Sequence, residues 1–184
     1  MDSKIFWFDT ETTGVDPFRS CVITLAGLIE INGNVMEEVD LKFAPHEGAY
    51  IADKAIQAHG ITVEEMNKFP SALKSLSLLK ATLSEFVSKF DKNDKFIAAG
   101  YNVKFDMDFL RQMFIRHNDK FFGSYFFWPV IDVQFIVARQ IALIDLRLPD
   151  YKLSTLCKHY EIPIDAHDAM SDIKATKALY DLLY

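Results

Sequence analysis

Only two cysteines occur in 184 residues, Cys21 and Cys157. They stand far apart and lack the short spacing of a metal-binding pair, so neither a disulfide framework nor a zinc site is expected. Two ordinary thiols fit a cytosolic chain. Long apolar runs are missing too: no stretch nears the roughly 18 residues of a membrane-spanning helix, and no membrane partner is expected. The start, M-D-S-K, leads straight into an apolar segment, which leaves no room for a signal peptide and makes cytoplasmic the expected location. Positive charge is in deficit, with 20 Lys and Arg against 26 Asp and Glu and a net charge of −6. That balance disfavours a general nucleic-acid binder, whose footprint is basic. It leaves room for an enzyme that handles phosphates through metal ions and therefore needs acids. Repeats, low-complexity tracts and Pro/Gly/Ser-rich linkers are also lacking, so residues 1–184 read as one domain.

What is present is core-forming. Half the residues are hydrophobic, and 16 Phe, 7 Tyr and 2 Trp bring large buried area per residue. Ile5 to Asp9 is a short continuous apolar run, the pattern of a central strand buried on both faces. Cys21 to Ile31 and Val35 to Phe43 flank Asn32-Gly33-Asn34, a strong hairpin signal, so three antiparallel strands are expected. From Ser71 to Phe90 an amphipathic helix is expected, with Leu76, Leu79, Leu83, Phe86, Val87 and Phe90 at helical spacing. Phe96 to Gly100 reads as a strand leading into a helix that starts near Asn102, a good N-cap. Val130 to Arg139 is ambiguous between strand and helix. Two helices follow, Lys152 to Tyr160 and Ala166 to Leu183. The expected fold class is α/β, a mixed sheet with helices packed on it.

Acids sit where they do not belong. Asp9 and Glu11 end the first apolar run one residue apart, and side chains two apart on a strand share a face. The two would therefore aim at one spot just past the strand's end. The pattern D-x-E is weak by itself: 17 Asp and 9 Glu in this chain give about 0.8 such pairs by chance. On the helix after Asn102, Asp106 aligns with Phe109, Leu110 and Met113 on the apolar face, whereas Asp108 aligns with Arg111 and Gln112 on the polar one. On the last helix, Asp172 falls within the inward stripe Ala169, Ile173, Thr176, Leu179, Tyr180 and Leu183. Asp165 is the expected cap of that helix, and His167 falls in the loop or first turn. Four gathered carboxylates repel one another unless they surround divalent cations. Paired cations held by carboxylates are a recurring device for cutting phosphodiesters.

These residues form three motifs in order: Asp9-Thr10-Glu11-Thr12-Thr13-Gly14, Asn102 with Phe105-Asp106, and His167-x-Ala169-x-x-Asp172. In this the chain resembles the DnaQ-like, or DEDDh, 3′→5′ exonuclease family, to which proofreading subunits of DNA polymerases belong. Ala58-His59-Gly60-Ile61-Thr62 after Pro45, and Ile131-Asp132, resemble secondary segments of the same family, and the likeness runs from Ile5 to about Leu183. The resemblance implies a ribonuclease H-like fold with a mixed five-stranded sheet, a three-strand antiparallel meander plus parallel strands. It implies two Mg²⁺ or Mn²⁺ ions held by Asp9, Glu11, Asp106 and Asp172, with His167 as general base. Thr12 would lie against the terminal nucleotide, and His59, Asn102 and Tyr101 near the bound strand. Asp168 stands where the sister group has Tyr, which places the chain in the His subclass. Tyr101 departs from members with His before the Asn; it either stacks on a base or packs. The implied partner is a single-stranded DNA or RNA 3′ end, with a DNA polymerase as a further partner, although the chain's end at the last helix favours a stand-alone nuclease or one that docks through its folded surface. DNA is the first expectation. An RNA 3′-end processing enzyme and a non-catalytic ribonuclease H-like binding module are the alternatives; the intact acids and His167 speak against the last.

Overall fold

A computed structural model describes residues 2–165 and 168–184. The chain order is β1 (Lys4–Thr12), β2 (Val22–Ile31), β3 (Asn34–Lys42), α1 (Asp53–His59), α2 (Val63–Met66), α3 (Ala72–Phe86), β4 (Ile97–Gly100), α4 (Val103–Arg116), β5 (Ile131–Asp132), α5 (Val133–Ile144), α6 (Leu153–His159) and α7 (Ala169–Leu183). The strands form one sheet in the order β3-β2-β1-β4-β5. β1–β2 and β2–β3 are antiparallel, while β1–β4 and β4–β5 are parallel. The β2–β3 hairpin turns at Asn32 (φ 51°) and Gly33 (φ 82°), left-handed at both central residues as a tight hairpin turn requires.

β1 is buried on both faces, and each face feeds a different core. Phe6 and Phe8 face α3 and α4 in a cluster with Leu25, Ile29, Leu79, Leu83, Phe109, Leu110 and Phe114. Ile5 and Trp7 face α5, α6 and α7 in a second cluster with Leu28, Val133, Val137, Ile173 and Leu179. Phe6, Trp7 and Phe8 are all 0% exposed, and burying such side chains contributes about 1.5–3 kcal/mol each. Two glycines permit this packing. A Cβ on Gly27 would lie 2.7 Å from the Phe6 ring, and one on Gly100 would lie 2.9 Å from the Phe8 carbonyl oxygen.

Several elements depart from the sequence expectation, each for a local reason. α3 stops at Phe86, and Val87 is extended (φ −130°, ψ 140°). Asp94 captures the Ser88 N–H at 2.8 Å and the Lys4 ammonium at 2.5 Å, pulling the chain off the helix. Phe90 thus leaves the buried stripe and is 90% exposed. The ambiguous 130–139 segment is both things in succession. Asp132 marks the change, as its Oδ1 caps α5 by accepting the Gln134 N–H at 3.0 Å. Asp168, not Asp165, caps α7, accepting the Ser171 N–H at 2.8 Å. Asn102 holds the N-cap position of α4 in a left-handed conformation (φ 60°, ψ 37°) and its side chain makes no capping bond. Its own N–H instead donates to Asp132 Oδ1 at 3.0 Å, tying the end of β4 to β5. Among the described residues no helix is long and apolar enough to cross a membrane.

Candidate active site

β1 continues through Thr12, so Asp9 and Glu11 lie inside the strand rather than beyond it. What makes its last residues a site is the loss of a neighbour. β4 pairs with β1 only through Trp7 and ends at Gly100, whereas β2 accompanies β1 to its end. Past Phe8 the β4 side of β1 therefore has an open edge. A backbone N–H on such an edge needs another acceptor, and Asp106 supplies it. Its Oδ1 accepts both the Thr10 N–H at 3.0 Å and the Thr10 hydroxyl at 2.6 Å. That bond explains the acid on the apolar side of α4: Asp106 is 3% exposed in the helix's first turn.

Period-two geometry divides the acids between the faces of the sheet. Asp9 and Glu11 share the face of Trp7, over which α7 packs through Ile173 and Leu179. α7 carries Asp172 to the same place: ligand oxygens of Asp9, Glu11 and Asp172 all lie within 4.8 Å of one another. Asp106 approaches from the α4 face at the open edge. The ladder then breaks just after Glu11, where Thr12 takes Val22 rather than Ile23 as its partner. A bulge at such a position bends the strand and re-aims the side chains beside it.

Electrostatics follow from this crowding. Burial, then the carboxylates of Asp106, Glu11 and Asp172, push Asp9 well above the usual carboxylate range. Burial, with Asp172, Asp106 and Asp168, raises Glu11 to about 7. Burial raises Asp106 to about 7 as well, against the opposing pull of its Thr10 hydrogen bonds. Carboxylate oxygens converging at this spacing are a hard donor set, which suits Mg²⁺ or Mn²⁺. The residues therefore fit the divalent ions that the resemblance implies.

The other expected site residues are placed as follows. His167 lies outside the described residues. Thr12 is buried and its hydroxyl donates to the Gly14 carbonyl at 2.7 Å. His59 accepts the Ile61 N–H at Nδ1 over 3.0 Å, where α1 ends in a left-handed Gly60. The Asn102 side chain is exposed at the start of α4. Tyr101 packs against the α7-side core and its hydroxyl donates to the Tyr151 carbonyl. Burial, with Asp132 next, raises that phenol to about 12. Thr10 went unnoticed in the sequence. Its position between the two acids was the available signal, because a strand residue there must face the opposite side.

A five-stranded mixed sheet in the order β3-β2-β1-β4-β5 with helices on both faces is the ribonuclease H-like fold. The Exonuclease family model matches residues 6–180, and the chain belongs to that family. The PolC-type DNA polymerase III of Oceanobacillus iheyensis is 29% identical over 170 residues, covering 92% of this chain and 10% of the relative. Exodeoxyribonuclease I of Haemophilus influenzae is 26% identical over 199 residues, covering 99% of this chain and 40% of the relative. Among solved structures, the zinc-bound E. coli ExoI–ssDNA complex has a TM-score of 0.82 at 22% identity, covering 100% of this chain and 40% of that one. E. coli exonuclease I with a 5cy-dA13 oligonucleotide has a TM-score of 0.81 at 23% identity, covering 98% and 40%. The chain thus spans about a tenth of the polymerase relative's length and two fifths of exonuclease I.

Proposed function

We propose that the chain is a DEDDh-type, metal-dependent exonuclease that removes nucleoside monophosphates from the 3′ ends of single-stranded DNA. The observation that carries this reading is the convergence of Asp9, Glu11 and Asp172 within 4.8 Å, with Asp106 held beside them by Thr10. Family membership supports the reaction class. DNA is preferred because relatives include an exodeoxyribonuclease and an exonuclease I bound to a DNA oligonucleotide. A polymerase partner is supported by the PolC-type relatives, and two buried free thiols suit the cytoplasm.

In this reading Asp9, Glu11, Asp106 and Asp172 would hold two Mg²⁺ or Mn²⁺ ions. When bound, the ions supply Lewis acidity toward the attacking water and the scissile phosphate. The protein's own share is positioning: β1 buries Phe6, Trp7 and Phe8 to fix two acids, and Thr10 restricts Asp106 to its remaining oxygen. His167 takes the proton from the attacking water, a task suited to imidazole's ordinary pKa of about 6.5. Asn102, Tyr101, Thr12 and His59 flank the strand being shortened.

The test uses 5′-labelled single-stranded DNA and RNA side by side. Stepwise shortening from the 3′ end with Mg²⁺ or Mn²⁺, absent with chelator and faster on DNA, is expected. Faster shortening of RNA would reassign the substrate, and unchanged cleavage by Asp9→Ala would overturn the site.

A further inference from the structure

Thr24, on β2, is a buried polar residue that the mechanism leaves unused. It is 8% exposed, and its hydroxyl has no hydrogen-bond partner among the described residues. A buried hydroxyl without a partner costs stability, and valine would fill the same strand position without that cost. The register sets Thr24 directly opposite Glu11 on the last regular rung before the bulge. The two side chains therefore leave the sheet on one face, with Cβ atoms about 4.5–5.5 Å apart. Thr24's neighbour on the other side is Lys42 of β3. An ammonium has no lone pair with which to accept, and that of Lys42 lies 5.4 Å from the Phe69 ring centroid. Glu11 is the one acceptor side chain among the two cross-strand neighbours.

We propose that Thr24 is a positioning residue for Glu11: its hydroxyl, unpartnered among the described residues, would donate to one oxygen of the Glu11 carboxylate when that side chain turns to hold a divalent ion, and so direct the other oxygen toward Asp9 and Asp172. The assignment rests on reading those acids as a metal centre. It accounts for a strand position that keeps a destabilising hydroxyl, because such partners orient a ligand rather than support the core.

The test compares Thr24→Val and Thr24→Ser in the full chain by three measurements: melting in chelator, calorimetric titration with Mn²⁺, and steady-state cleavage of a single-stranded oligonucleotide. Thr24→Val is expected to melt at or above the wild-type temperature, yet to bind Mn²⁺ about 10-fold more weakly and lose kcat in proportion with KM unchanged. Thr24→Ser restores both. Thr24→Ala, which also lacks the hydroxyl, repeats the comparison if valine crowds the sheet. Unchanged Mn²⁺ affinity in the folded valine and alanine variants overturns the proposal, and so does a failure of serine to restore it. A wild-type chain that binds Mn²⁺, more weakly after Thr24→Val, but cleaves no nucleic acid would uphold Thr24 and overturn the nuclease reading.

Discussion

The two halves of β1 obey the same alternation and are used in opposite ways. From Ile5 to Phe8 both faces are sealed by apolar side chains and strands flank both edges. From Asp9 to Thr12 one edge is open, and the same alternation sends Asp9 and Glu11 to the α7 face and Thr10 to the α4 face. The difference is made by the length of β4, which ends before the acids begin. The first half carries fold energy, and the second half spends rigidity on holding like charges together.

That contrast is broken most severely at Asp9. Asp9→Asn should lower kcat at least about 100-fold while the metal-free chain melts no lower than wild type, because the change removes an acid whose ionisation burial and the neighbouring carboxylates oppose. Steady-state kinetics and a melting curve in chelator check both halves. Phe8→Ala, one residue earlier, should do the converse, costing about 3–5 kcal/mol by denaturant unfolding and losing activity only as the folded fraction falls.

The pH dependence of stability sharpens the same comparison. Glu11 and Asp106 are raised to about 7 by burial and neighbouring acids, so the folded chain binds more protons than the unfolded one above the ordinary carboxylate range. Their contribution is full below that range and is lost as pH climbs through about 7. The melting temperature in chelator should therefore fall over this window, and saturating Mg²⁺ should flatten the fall. A rise over the same window would contradict the assignment. The smallest effect concerns the entry to α7. Asp168→Ala should cost about 1 kcal/mol as a lost cap, and Asp165→Ala much less, measured by thermal unfolding.

Much of this was legible in the sequence. The Asn32-Gly33 turn, the apolar run of β1 and the inward placement of Asp106 and Asp172 all followed from local periodicity and turn chemistry. Periodicity assigns a face within one element and says nothing of which element lies opposite. For that reason the sequence places Asp9 and Glu11 on one face, aimed just past the end of a strand that in fact runs on to Thr12, and gives no sign of the Thr10–Asp106 bond. Capping failed for a related cause. Asn102 does hold the N-cap position of α4, but its left-handed backbone leaves the side chain without a capping bond, and at α7 the Asp168 carboxylate, not that of Asp165, reached the Ser171 N–H. The short helices α1 and α2 carry few buried residues, with only Met66 fully inside, so no apolar stripe announced them.

The acids of this site span the chain from Asp9 to Asp172, and Asp172 rides on its last helix. During synthesis the three antiparallel strands β1, β2 and β3 lie within the first 42 residues and can pair with one another before β4 is made. The third carboxylate of the converging group arrives only when α7 emerges and docks. A nascent or truncated chain that lacks α7 therefore carries Asp9 and Glu11 without Asp172. The order of the elements thus delays assembly of the acidic cluster until α7 has docked.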